Sequence, residues 1–302
     1  MKHYEERLEN DLARVRAAID NLAMAVLEAL RSAMRAVLEG NHEIAHETIV
    51  GDHQINRYSR EIDRLCHAFI ARHLPSAGHL RLMSSTIRTN VALERIGDYA
   101  VTISRESVQM PEPPPARVAK QMQSLSDRAL QLLEDSVAAF RACDADAARA
   151  LKSSPSHLKS DMDNIYEDLI EKTKKQRLQK TVAEFVIFSL IKRVSDQARN
   201  ICDQTVFSAT GEIKSTRRFR VLFVDRTNAC LSRMAEEIGN KRYGENAAFM
   251  SAGSEPADEV NPDLIRFLND RGIAADEAPP RAVETAQDQL QSIDIFIRVG
   301  DM

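Results

Sequence analysis

The sequence predicts an all-α duplicated three-helix bundle followed by a small α/β domain with a parallel sheet. Three observations carry this. Apolar residues recur every three or four positions over most of residues 1–213, one segment of that stretch echoes another 98 residues earlier, and beyond residue 218 short apolar runs alternate with helical patterns. The composition agrees: of 302 residues, 43% are hydrophobic, 28% charged and 5% aromatic, with no Trp, a profile that fits helices better than a sandwich or barrel.

In the first helix, Leu8, Leu12, Val15, Ile19, Leu22, Val26, Leu30, Met34 and Val37 form one stripe from Tyr4 to Leu38, and Gly40 is placed to end it. A second helix carries Ile44, Ile55, Tyr58, Ile62, Leu65 and Phe69 and stops near Pro75. A third, from about Leu80 to Val108, carries Met83, Ile87, Val91, Ile96, Tyr99 and Ile103. PEPPP at 111–115 is a stiff linker, because proline lacks the N–H donor and restrains its predecessor. Three further helices follow: one with Met122, Leu125, Leu132, Leu133, Val137 and Phe140; one with Leu158, Met162, Ile165 and Leu169; one with Val182, Phe185, Val186, Val194, Ile201 and Val206.

LERIGDYAVTI (93–103) and IKRVSDQARNI (191–201) align without a gap, pairing Arg95 with Arg193, Ile96 with Val194, Asp98 with Asp196, Ala100 with Ala198 and Ile103 with Ile201. The match falls at the same place in both helix triplets, as a duplication requires. The expected domains are therefore 1–110, 111–213 and 218–302, the last two separated where SATGEIKSTRR (208–218) loses its apolar period. In the last domain FRVLFV, AAFMSAG and SIDIFIRV read as strands. Residues 231–242 and NPDLIRFLNDRG read as helices, the second with Pro262 in its first turn and Gly272 as its stop.

With 41 basic and 45 acidic residues, the net charge of −4 points to neither a nucleic-acid footprint nor a polybasic membrane anchor. Cys66, Cys143, Cys202 and Cys230 form no CxxC pair and read as reduced thiols. A charged N-terminus and the lack of any run of about 18 apolar residues lead to the expectation of a cytoplasmic protein that meets membranes only through partner proteins.

Glu94 and Asp98 stand at i, i+4 in ALERIGD, and Asp52 and Asn56 stand at the same spacing in GDHQIN on the preceding helix. Facing one another, such pairs offer hard oxygens to Mg²⁺, Mn²⁺ or a similar ion. The alternative is an Asp98–Arg95 pair with Glu94 in water. The two helix triplets, LERIGD and its echo KRVSDQARNICD resemble the PhoU family of phosphate-signalling regulators over about residues 1–213. That resemblance implies a divalent or iron-type metal, or a metal cluster, at Asp52, Asn56, Glu94 and Asp98. In the second repeat Lys192 and Ser195 replace the glutamate and glycine. The facing residues there are Lys159 and Asp163, so Asp196 is expected to support at most a weak site and to pair with Lys192.

Beyond residue 218, VLFV with its loop, SRMAEEI, SAGSEP (251–256) and VNPDLIRFLNDRGI (260–273) resemble the low-molecular-weight protein tyrosine phosphatase and arsenate reductase family. That family uses a C-x5-R loop: a thiolate at a helix N-terminus attacks phosphorus while the arginine clamps the phosphoryl oxygens. Here Asp225 stands at the nucleophile position and Leu231 at the arginine position; Thr227 replaces a glycine, and Asn228 and Ser232 fit. Cys230 falls where the family has a non-nucleophilic cysteine, and Arg226 and Arg233 read as solvated. The chain also stops at RVGDM, before the family's general acid and last strand, so the domain is expected to be truncated, with SIDIFIRV less protected and covered by a homodimer contact or a partner protein.

The function these resemblances imply is a non-enzymatic regulator acting on a phosphate-responsive sensor kinase and a phosphate ABC transporter, with homodimerisation compatible with the stripes. The rivals are a phosphatase or arsenate reductase using Cys230, and an oxyanion or ligand sensor built on the 225–232 loop.

Overall fold

The computed structural model describes residues 2–153, 178–213, 218–276, 278–283 and 293–300. It divides into two compact units, Met1–Lys214 and Ser215–Met302. The first contains α1 (Lys2–Glu39), α2 (His42–His73), α3 (Ala77–Gln109), α4 (Ala116–Ala142), α5 (Ala145–Ser153) and α6 (Leu178–Thr210). Leu158, Met162, Ile165 and Leu169, assigned to a helix from the sequence, lie outside the described residues, as do Lys159 and Asp163.

The α1 stripe is the spine of this unit: Leu12, Val15, Ile19, Leu22, Val26, Leu30, Met34 and Val37 are all buried. Removing such side chains from water contributes about 1.5–3 kcal/mol each. The helix ends at Gly40, whose φ of +64° suits glycine. Asn41 then caps α2, its side-chain oxygen accepting the N–H groups of Glu43 and Ile44 at 3.0 and 3.2 Å. The first three helices pack on one another, and α3 and α6, the third helix of each triplet, also pack together along their length. One apolar cluster runs through both halves, joining Leu22 on α1, Ile62 on α2, Ile96 and Ile103 on α3, Leu125 on α4, and Val194 and Ile201 on α6.

Three expected core residues turn outward: Val91, Val182 and Phe185 are exposed. On α3 the buried face upstream of Leu93 runs instead through Ser85, Thr86, Thr89 and Asn90. Small side chains let a neighbouring helix approach closely, and a stripe traced through apolar residues alone drifts off that face. On α6 the inner face begins at Ala183 and continues through Ile187 and Phe188. A further difference is α5, whose nine residues escaped the periodicity reading. Asp144 starts it by accepting the N–H groups of Asp146 and Ala147 at 3.0 and 2.9 Å. Ala148 then packs beside Ala139, Cys202 and Val206. No helix of the described residues is long and apolar enough to cross a membrane, and the four cysteines are free.

The second unit alternates β1 (Phe219–Asp225), α7 (Leu231–Tyr243), β2 (Ala247–Gly253), α8 (Pro262–Asn269) and β3 (Ile295–Arg298). The strands are parallel in the order β2-β1-β3. This arrangement puts β1 in the centre, with its last residue, Asp225, in register with Gly253 at the end of β2. Loops at the carboxyl ends of parallel strands are where such sheets hold ligands. Asn261 caps α8 by accepting the Asp263 N–H at 2.8 Å, and Pro262 occupies the first turn. Ile295, Phe296 and Ile297 on β3 are exposed.

Candidate functional site

Close helix packing sets Asp52 on α2 within electrostatic reach of Glu94 and Asp98 on α3. A Cβ on Gly97 would stand 3.0 Å from the Ile55 side chain, so the glycine in ERIGD lets α2 and α3 approach at the level of both i, i+4 pairs. Asp52 and Asn56 flank Ile55, while Glu94 and Asp98 flank Gly97. Asn56 donates from Nδ2 to Asp52 Oδ2 at 2.6 Å, leaving Asp52 Oδ1 buried with no hydrogen-bond partner among the described residues. Burial, then Asp98 and Asp52, push the Glu94 carboxyl above its ordinary pKa, with Arg95 opposing. Burial, then Asp52, raise that of Asp98, with Arg105 opposing. Glu94 and Asp98 on α3 therefore both sense the Asp52 charge on α2. Their oxygens are hard donors suited to a hard cation, yet among the described residues no three His, Cys, Asp or Glu side chains are gathered into a coordination cluster.

At the corresponding place in α6, Lys192 Nζ lies 3.5 Å from Asp196 Oδ2, the ion pair expected from the sequence. Ser195 replaces the glycine and is fully buried.

The β1–α7 turn is organised by the residue at the nucleophile position. Asp225 is 6% exposed. Its Oδ1 accepts the Asn228 N–H at 2.5 Å and its Oδ2 the Ser232 N–H at 2.9 Å. Asn228, at φ +50°, sits at the centre of the turn. From Nδ2 it donates to Ser232 Oγ at 3.0 Å and Ser251 Oγ at 2.7 Å, and it accepts the Arg281 N–H at 2.8 Å. Ser251 in turn donates to Glu236 at 2.5 Å. A Cβ on Gly253 would stand 2.9 Å from the main chain of residues 226–228, which explains the glycine in SAGSEP.

Leu231 is exposed and offers no donor where the family places its clamp. Burial, and then the Asp225 and Asp263 charges, raise the Cys230 thiol above its ordinary pKa, the opposite of what an attacking thiolate needs.

The two arginines depart from the solvated reading in different ways. Arg226 is exposed but pairs with Glu255 at 3.3 Å. Arg233 is 1% exposed. It meets Asp276 Oδ2 at 3.1 Å and donates to the carbonyls of Asp276, Ala278 and Pro279 at 3.2, 2.7 and 3.3 Å. These partners lie 43 to 46 positions along the chain, so no local pattern announces them.

The fold and these two sites define a helical-bundle protein carrying a small phosphatase-like α/β unit. Residues 19–107 match the PhoU domain, and residues 220–301 match the low molecular weight phosphotyrosine protein phosphatase family. Over 212 residues it is 26% identical to the phosphate-specific transport system accessory protein PhoU homolog of Pseudomonas putida, covering 69% of this chain and 83% of that protein. A PhoU homolog of the same description from Aquifex aeolicus is 31% identical over 134 residues, 44% of this chain and 61% of that one. The crystal structure of the phosphate transport system regulatory protein PhoU from Streptococcus pneumoniae superposes with a TM-score of 0.64 at 25% identity, covering 69% of this chain and 99% of that one. PhoU from Pseudomonas aeruginosa shares the fold, with a TM-score of 0.62 at 24% identity.

Proposed function

We propose that this protein is a cytoplasmic accessory regulator of phosphate transport and phosphate-responsive signalling, with a C-terminal unit that performs no catalysis. The observation that carries the reading is the superposition of the helical unit on 99% of a PhoU named as a phosphate transport system regulator. Its partners are a phosphate-responsive sensor kinase and components of the phosphate ABC transporter, engaged through helical faces. A homodimer is compatible with this mode of action.

Asp52, Asn56, Glu94 and Asp98 would hold a divalent or iron-type cation. The unpartnered Asp52 oxygen and the raised Glu94 and Asp98 pKa values support this, since a bound cation would relieve their mutual repulsion. It would fix the α2–α3 face for docking. Asp196, already engaged by Lys192, would contribute weakly. The loss of thiolate and guanidinium at positions 225 and 231 supports catalytic inactivity, as such a transition-state clamp is worth about 3–4 kcal/mol.

The test is replacement of a host's PhoU by this chain. Restored repression of a phosphate-starvation reporter in phosphate-rich medium is the expected result, and derepression as deep as in the deletion strain defeats the regulatory reading. Metal analysis of the purified chain should find about one ion or cluster, lost in Glu94→Gln/Asp98→Asn. Hydrolysis of para-nitrophenyl phosphate should stay at background with and without Cys230→Ser; turnover that needs Cys230 would establish an enzyme.

A further inference from the structure

The main-chain N–H groups in the first turn of a helix lack intrahelical acceptors and attract anions. At the β1–α7 turn two of the main-chain donors, the Asn228 N–H in the loop and the Ser232 N–H in the first turn of α7, are already engaged. The Asp225 carboxylate takes the N–H groups of Asn228 and Ser232, one on each oxygen, and is itself buried. The neighbouring polar groups are also committed: Asn228 spans Ser232, Ser251 and the Arg281 main chain, and Ser251 reaches Glu236. An oxyanion entering the turn would have to displace a buried carboxylate and overcome its charge, with Leu231 offering no compensating donor.

We propose that Asp225 is a built-in substitute for a bound oxyanion, so that the loop is self-ligated and its shape is independent of phosphate concentration. The covalently tethered carboxylate is held at a local concentration no free anion matches. The C-terminal unit would then present a constant surface to its surroundings, and any phosphate dependence of the protein's regulatory action would arise elsewhere. The inference extends the reading of this unit as non-catalytic. It fails through phosphate binding without turnover, a readout distinct from hydrolysis or from reporter repression.

Amide hydrogen exchange of residues 226–234 in the full-length chain tests it, in phosphate-free buffer and with inorganic phosphate at matched ionic strength. The wild-type loop should be protected equally in both. Asp225→Ala should exchange at least about tenfold faster without phosphate, the order expected when two buried hydrogen bonds are lost, and phosphate should restore most of the protection. Should the alanine chain not fold, Asp225→Asn carries the same comparison, since it keeps the volume and loses the charge. Slower exchange of the wild-type loop on adding phosphate overturns the proposal. So does a folded variant whose loop exchanges as slowly as wild type, or one that phosphate leaves unprotected.

Discussion

On the α2–α3 face of the helical unit, Asp52 keeps a buried oxygen without a hydrogen-bond partner among the described residues, and burial, aided by neighbouring acids including Asp52, raises the pKa of Glu94 and Asp98. At the β1–α7 turn of the C-terminal unit, both oxygens of Asp225 accept main-chain N–H groups. The same functional group thus stands in opposite conditions. Where the backbone supplies the donors, a carboxylate is part of the scaffold. Where acids face acids, burial and mutual repulsion make each carboxyl hold its proton more tightly.

The largest effect that would break this contrast lies in the support of the turn. Arg233→Ala should destabilise the C-terminal unit by about 3–5 kcal/mol, because it removes the cation of a pair buried on its side and leaves three carbonyls short of a donor. Chemical denaturation followed by a probe in that unit measures this, and a loss near zero would mean that the network does not hold the loop.

Asn228→Ala comes next, at about 2–3 kcal/mol, from the orphaned Ser232, Ser251 and Arg281 groups together with the strain of φ +50° on alanine. The same denaturation experiment reads it.

The helical face responds to pH in the opposite sense from a satisfied carboxylate. Because the folded-state pKa values of Glu94 and Asp98 lie above their ordinary values, the native state holds these protons more tightly. Their contribution to stability is full below the ordinary carboxylate range, about pH 4, and is lost as the pH rises through the raised values. Without added metal, Glu94→Gln and Asp98→Asn should therefore raise the denaturation midpoint at pH 7 and leave it unchanged below about pH 4. A midpoint at pH 7 equal to or below that of wild type would show that the acids do not repel. The smallest effect is expected of Lys192→Ala, within about 0.5 kcal/mol, since the Lys192–Asp196 pair is solvent-exposed.

Much of the architecture could be read from local pattern. The α1 stripe, the proline linker, Gly40, the parallel strands and the spacing of Asp52, Asn56, Glu94 and Asp98 all follow from periodicities of 3.6 or 2 and from backbone rules that act within a few residues. Local pattern misleads where polar residues face inward. Ser85, Thr86, Thr89 and Asn90 are buried on α3 while Val91 is not, and Arg233 is buried among carbonyls that a distant segment supplies. Asp225 could be recognised as the wrong residue for phosphoryl chemistry, but its acceptance of two loop N–H groups could not.

The order of residues alone determined the long helices α1–α4 and α6 and the strands of the small unit, that Lys192 stands at the acid position of the second repeat, and that positions 225 and 231 carry neither sulfur nor guanidinium. Those are properties of side-chain chemistry and short-range spacing. The tertiary structure decided which carboxylates have partners. That is set by which donors reach each carboxylate, Asn56 beside Asp52 on one helix and the Asn228 and Ser232 amides of the loop and α7 folded back on Asp225, and by the burial that makes each satisfied or unsatisfied oxygen matter.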